Sequence, residues 1–176
     1  MTNKSVSMDK YKWYYKTPDN FTDIVMSSDG EYLTGLWFLD SKDEDKHCTK
    51  LEEKYLDIFK ITKKWLDIYF SGCEPNFTPI YKIYNQTEFR KMVTNCMNEI
   101  PYGKTTTYKS IASIVGKKLS KEKMSAQAVG GAVGANQICI IVPCHRVIGT
   151  NGCLVGYGGG IKNKIGLLNI EGGNYE

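Results

Sequence analysis

Short apolar runs dominate the first forty residues, and helically spaced ones follow. "KYKWYYKT" (10–17) alternates loosely and is rich in aromatics, the pattern of a half-buried strand. "FTDIVMSSDGEYLTGLWFLD" (21–40) holds two strand-like runs around Ser27-Ser28-Asp29-Gly30, which predicts a hairpin. Over 51–70, Leu51, Tyr55, Ile58, Phe59, Leu66 and Tyr69 recur between lysines and acids, with Trp65 beside them, and predict one amphipathic helix. "SGCEPNFTPIY" (71–81) carries two prolines and a glycine and reads as a linker.

The second half has a different rhythm. Asn85-Gln86-Thr87-Glu88 has capping-box spacing, opening a helix with the apolar stripe Phe89, Met92, Val93, Cys96, Met97 and Ile100. Pro101-Tyr102-Gly103 ends that helix. Thr107 is the expected N-cap of "YKSIASIVG", whose face is Tyr108, Ile111, Ala112 and Val115. After the lysine-rich connector 117–123, "SAQAVGGAVGAN" predicts a thin helix. Its glycines cost about 1 kcal/mol each against alanine, a cost that close approach to another backbone or to a nucleic-acid strand would justify. Two helices in succession suggest a helix-turn-helix, although this connector exceeds the usual three or four residues. Ile140, Ile141 and Val142 read as a short buried strand that Pro143 must stop. A glycine-rich loop follows, and Ile161, Ile165 and Leu168 mark a last helix with Glu171 at its end. The chain therefore divides in expectation into an α/β domain over 1–84 and a mainly helical domain over 85–176.

With 41% hydrophobic and 24% charged residues, the 176-residue chain has an ordinary globular composition. No apolar stretch approaches the roughly 20 residues of a membrane span, and "MTNKSVSMDKYKW" lacks the apolar core of a secretory signal. A cytoplasmic protein with no membrane partner is expected. Six cysteines without CxxC pairs, and only His47 and His145 as histidines, predict reduced thiols, no metal and no cofactor. Charge is unevenly spread. Residues 1–84 hold 12 Lys+Arg against 14 Asp+Glu, a net of −2, whereas 85–176 hold 11 against 5, a net of +6. The second half could face a polyanion, but a solvated lysine surface would give the same count.

Candidate chemistry begins at Cys144. A cysteine placed where a rigid element ends, with a histidine next to it, is equipped as a nucleophile whose proton has somewhere to go. His145 is the only histidine in this half. Glu171 attracts notice because the helix macrodipole opposes a carboxylate at a helix C-terminus.

"PCHRV" (143–147), preceded by "AVGGAVGAN" (128–136) and followed by "GYGGG" (156–160) and "LLNIEGG" (167–173), resembles the O6-alkylguanine-DNA alkyltransferases. The resemblance covers residues 85–173 with its motifs in order. It implies a ribonuclease H-like α/β N-terminal domain and a mainly α, winged helix-turn-helix-like C-terminal domain. It also implies a monomer that binds double-stranded DNA through the minor groove, flips an O6-alkylguanine out of the stack and moves the alkyl group onto its own Cys144, once. O4-alkylthymine is implied as a second substrate.

The resemblance carries residue roles with it. Cys144 would be the nucleophile, and His145 would act on it through a water, oriented by Glu171. Tyr108 would hydrogen-bond the flipped base and donate a proton to guanine N3. Asn136 would join the recognition helix to the active-site loop. The backbone carbonyls of Cys144 and Val147 would accept the guanine amine, and the Gly158 amide would donate to O6. Gln127, Ala128, Lys109 and Thr150 fall among the DNA-contacting positions, and Arg146 is read as support for the loop. Departures are visible: Gln127 stands where several members have an arginine, Ala135 where many have a basic residue, and Gln137 where a proline is usual. Three other functions share parts of this pattern. A lesion-flagging binder would lack Cys144, a regulator would need a further module, and a cysteine hydrolase would turn over.

Overall fold

In the computed structural model, which describes residues 8–121 and 123–176 (but not the side chains of residues 42 and 45), the aromatic run forms strand β1 (Tyr11–Tyr15). The hairpin follows as β2 (Ile24–Ser28) and β3 (Leu33–Phe38). Asp29 shapes the reversal: its Oδ1 accepts from the backbone N–H of Glu31 and Tyr32, at 2.9 and 2.8 Å, as an Asx turn does. Both strands are buried along their whole length. The polar pair this brings inside is satisfied across the strands, where the Ser27 and Thr34 hydroxyls meet at 3.1 Å. Helix α1 (Lys42–Cys48), the short β4 (Glu52–Glu53) and helix α2 (Asp57–Phe70) complete this part. The sheet order is β3-β2-β1-β4, with β1–β2 and β2–β3 antiparallel and β4 parallel to β1.

One expected helix is shorter than its pattern. Residues 51–56 are not helical, because Glu52 N–H and Lys54 N–H bond the carbonyls of Lys10 and Lys12 at the sheet edge. Tyr55 is consequently exposed, while Ile58, Phe59, Trp65, Leu66 and Tyr69 form the buried face of α2. His47 stacks on Trp37 with centroids 5.2 Å apart. Among the described residues, no three His, Cys, Asp or Glu side chains gather into a group able to hold a metal. None of the described helices is long and apolar enough to cross a membrane. The N-terminal stretch read for a signal lies, up to residue 7, outside the described residues.

The chain separates into two compact units, up to Asn85 and from Gln86 onward. The second begins with α3 (Glu88–Asn98), whose cap is Thr87 rather than Asn85: the Thr87 hydroxyl accepts from Arg90 N–H at 3.2 Å. Next come β5 (Thr106–Thr107), α4 (Tyr108–Lys118) and α5 (Ala126–Gly134). Thr107 caps α4 as its sequence predicts, accepting from Ser110 N–H at 3.0 Å. The three helices bury Val93, Met97, Ile111, Val115 and Val129. A 3₁₀ turn over Cys144–Arg146 leads into β6 (Val147–Ile148), which pairs in parallel with β5. Helix α6 (Ile161–Ile170) closes the unit.

The expected strand at 140–142 does not exist. Ile141 N–H bonds Cys139 C=O at 2.8 Å around Ile140, whose φ is +68°, and Cys144 N–H bonds Val142 C=O at 2.8 Å around Pro143. Two γ-turns therefore replace an extended run, the first in a conformation that costs a β-branched residue about 1–3 kcal/mol. Burial without a strand partner is possible because the Asn136 side chain does the pairing. Its amide donates to the carbonyls of Ile138 and Val142, and its oxygen accepts from Ile138 N–H.

Candidate active site

Cys144 is 4% exposed, on the first residue of its 3₁₀ turn. Its thiol is pulled down to about 7, with hydrogen bonding from the Cys139 thiol as the largest influence. Burial opposes this, while hydrogen bonds from Asn136 and Tyr157 and the positive charge of Lys164 add to it. Tyr157 hydroxyl and Cys144 Sγ are 3.9 Å apart. At neutral pH a large share of such a thiol is thiolate, the attacking species.

His145 and Glu171 meet from either end of this unit's closing segment. The ring Nε2 lies 2.6 Å from Glu171 Oε1, and both side chains are buried. Glu171 also accepts from Arg146 Nε and Nη2, at 2.8 and 3.0 Å, and from Gly103 N–H at 3.0 Å. Gly103 is required there: its φ is +71°, and an added Cβ would stand 2.9 Å from the Glu171 carbonyl. The carboxylate that the macrodipole disfavours is therefore held by a guanidinium, an imidazole and an amide. Desolvation depresses the His145 pKa, with Glu171 pulling it the other way. A neutral imidazole donating from Nε2 leaves Nδ1 as the basic nitrogen. Arg146 is thus more than loop support. It neutralises Glu171, so His145 does not have to, and its Nη1 anchors the pair to the Ile100 carbonyl at 2.7 Å.

Lys164 was missed by the sequence reading. The buried face of α6 is Asn163, Lys164, Leu167 and Leu168; of the expected stripe Leu168 is buried, whereas Ile161 is exposed and Ile165 only half-buried. Lys164 is fully buried, its Nζ donating to the Val147 carbonyl at 2.7 Å and lying 5.9 and 5.8 Å from the ring centres of Tyr108 and Tyr157. Burial pushes its pKa down, and the Cys144 charge works against that. The signal available beforehand was its spacing, three and four residues before Leu167 and Leu168.

Tyr108 is the first residue of α4, and its hydroxyl reaches the Val155 carbonyl at 3.4 Å. Burial and the Cys144 charge both raise its pKa, so it stays a proton donor. It also borders a cleft of about 440 Å³ together with Lys109, Gln127, Gly130, Thr150 and Gly156. Ala128 and Gly158 are exposed but lie outside that lining. The Val147 carbonyl already accepts from Lys164, and the Cys144 carbonyl from Val147 N–H, which leaves each one further lone pair. The α5 glycines do not serve packing within the chain. An added Cβ at Gly130 would make only ordinary contact with Tyr108 at 3.9 Å, and at Gly131 it would meet nothing within 4 Å.

A helical unit that buries an acidified cysteine beside a carboxylate-held histidine defines a thiol-nucleophile protein, and the comparisons narrow the class. Residues 88–173 match the family model described as 6-O-methylguanine DNA methyltransferase, DNA binding domain. A methylated-DNA–protein-cysteine methyltransferase of Mycobacterium leprae is 38% identical over 148 residues, 84% of this chain and 85% of that protein. One from Methanosarcina mazei is 41% identical over 155 residues, 86% of this chain and 91% of that protein. Among solved structures, Mycobacterium tuberculosis OGT in complex with DNA superposes with a TM-score of 0.77 at 34% identity, covering 92% of each chain. The chain belongs to the methylated-DNA–protein-cysteine methyltransferases.

Proposed function

We propose that this protein repairs DNA directly, by taking the alkyl group of O6-alkylguanine, and of O4-alkylthymine, onto Cys144. The observation that carries the reading is the buried Cys144 directly before His145, whose ring is held by Glu171 at 2.6 Å. His145 takes the thiol proton through a water, and the thiolate sulfur attacks the alkyl carbon. The carbon–O6 bond breaks, its electron pair stays with the base, and Tyr108 donates the proton that neutralises guanine at N3. A thioether remains, with no electrophilic carbonyl for water to attack, so each molecule reacts once.

Double-stranded DNA is the partner, approached by a monomer from the minor groove, with the base turned out of the stack into the cleft beside Tyr108. That cleft, about 440 Å³, has room for a base, and Cys144 is not among the residues that line it. The net charge of +6 over 85–176 favours phosphates, and α4 and α5 serve as the helix-turn-helix of a winged domain. The exposed side of α5, with Gln127, Ala128 and Gly131, is the side turned to the duplex, and Asn136 ties that helix to the Cys144 turn. Lys109 and Thr150 contact the backbone, and the Val147 carbonyl and Gly158 amide bind the flipped guanine. The ribonuclease H-like reading of the first unit rests on its antiparallel β1–β2–β3 ribbon with β4 added in parallel.

The experiment is a transfer assay with methylated duplex in large excess. One methyl per protein molecule, followed by no further product, supports the reading. Continued turnover, or transfer by Cys144→Ser, refutes it.

A further inference from the structure

Residues 156–160 hold four glycines around Tyr157, and packing does not fix the ends of that segment. Gly156 and Gly160 have φ of +43° and +88°, and an added Cβ at either would meet nothing within 4 Å. Glycine gives up more backbone freedom on ordering than any other residue, so a turn of this kind depends on its hydrogen bonds. Gly160 N–H closes the turn onto the Tyr157 carbonyl at 2.9 Å. A second tie comes from the buried face of α6. Asn163, 4% exposed, donates its side-chain amide to the Gly159 carbonyl at 2.6 Å. The next residue, Lys164, reaches the Val147 carbonyl at 2.7 Å. Adjacent positions of one helix thus grip the two segments that the proposed reaction sets against the base.

We propose that Asn163 is a positioning residue for alkyl transfer: its buried side-chain amide holds the 157–160 turn where the exposed Gly158 amide can reach the O6 atom of the bound base. The inference deepens the function proposed above and rests on Gly158 being the donor to O6. Two longer contacts also reach this loop, Tyr108 hydroxyl to the Val155 carbonyl at 3.4 Å and Tyr157 hydroxyl to Cys144 Sγ at 3.9 Å. The first is given up when Tyr108 turns to the base, and the second when the sulfur bonds the alkyl carbon. The Asn163 bond involves neither reacting group and persists through the transfer. A group misplaced by about 1 Å can cost on the order of a hundredfold in rate, so a fixed turn has direct kinetic value.

The test compares the full-length parent with Asn163→Leu, which removes the donor at similar volume, and Asn163→Asp, which sets an acceptor against the Gly159 carbonyl. Single-turnover methyl transfer is measured against the concentration of O6-methylguanine duplex. Hydrogen exchange of residues 154–162 in the free proteins is followed by peptide mass, and each protein is melted. Both variants should lower the rate at saturating duplex about tenfold, keep the half-saturating concentration within about twofold, and exchange faster over 156–160. A carboxylate in the first turn of α6, which has no acid there, suits the macrodipole. Asn163→Asp should therefore melt close to the parent and still react slowly, which a role in the helix alone would not give. A parent-like saturating rate in Asn163→Asp, a loss confined to the half-saturating concentration, a loss that the melts trace to unfolding, or unchanged exchange in both variants would overturn the role of Asn163. If the parent protein transfers no methyl to Cys144, the proposed function fails instead, while the exchange data still decide whether Asn163 holds the turn.

Discussion

Arg146 grips Glu171 with two parallel hydrogen bonds, Nε to Oε2 at 2.8 Å and Nη2 to Oε1 at 3.0 Å. This paired geometry leaves the carboxylate neutralised before His145 reaches it at 2.6 Å. The imidazole is then free to stay uncharged and basic, which is the state a proton acceptor needs.

Glu171→Gln should slow methyl transfer at least about a hundredfold, because an amide neither fixes the imidazole tautomer nor stabilises its charged form. It also strands the Arg146 guanidinium, at a cost of about 3 kcal/mol. Single-turnover kinetics and a urea midpoint read the two effects separately, and affinity for unmodified duplex should change little. A parent-like rate would mean that Glu171 only ends a helix.

Stability should rise with pH in two windows. The folded Cys144 thiol titrates near 7 against an ordinary value of 9.0, so between these the unfolded chain binds more protons and stability falls as pH drops. The depressed His145 extends the loss below 6.5, where the unfolded histidine protonates first. Fully alkylated protein and Cys144→Ser should lack the upper window, and subtracting their denaturation profiles from the parent's isolates it from Cys48 and Cys96, whose raised values act the opposite way above 9.0.

Lys164→Met should leave the fold at least as stable, since burying an ammonium is costly and methionine fills a similar volume. It should nevertheless lower Cys144 reactivity at neutral pH, because a positive charge that favours the thiolate is removed. Thermal melts and thiol labelling on the same sample check both halves.

Gly131→Ala should stabilise α5 by about 1 kcal/mol, because nothing in the protein opposes the extra methyl. If that face lies against DNA, the same change should weaken duplex binding, read by titration at fixed salt. Stabilisation without loss of affinity would turn the face away from the duplex.

Local signals were legible in the sequence where a single residue type does one job. Thr107 announced its cap, Asp29-Gly30 its turn, and the awkward position of Glu171 its need for partners. The turn at 140–142 was not legible, because a buried β-branched run looks the same whether a strand or an asparagine side chain satisfies its backbone. Lys164 and the Arg146 grip escaped for a related reason. Charged residues are read as solvent-facing by default, and only the tertiary partners reveal otherwise.

The most direct measurement is the intact mass of the protein after exposure to duplex carrying O6-methylguanine, followed by peptide mapping. A gain of a single CH2 per molecule, located wholly on Cys144, is expected. An adduct on Cys139 or Cys153, or an unmodified protein that has nonetheless repaired the DNA, would contradict it.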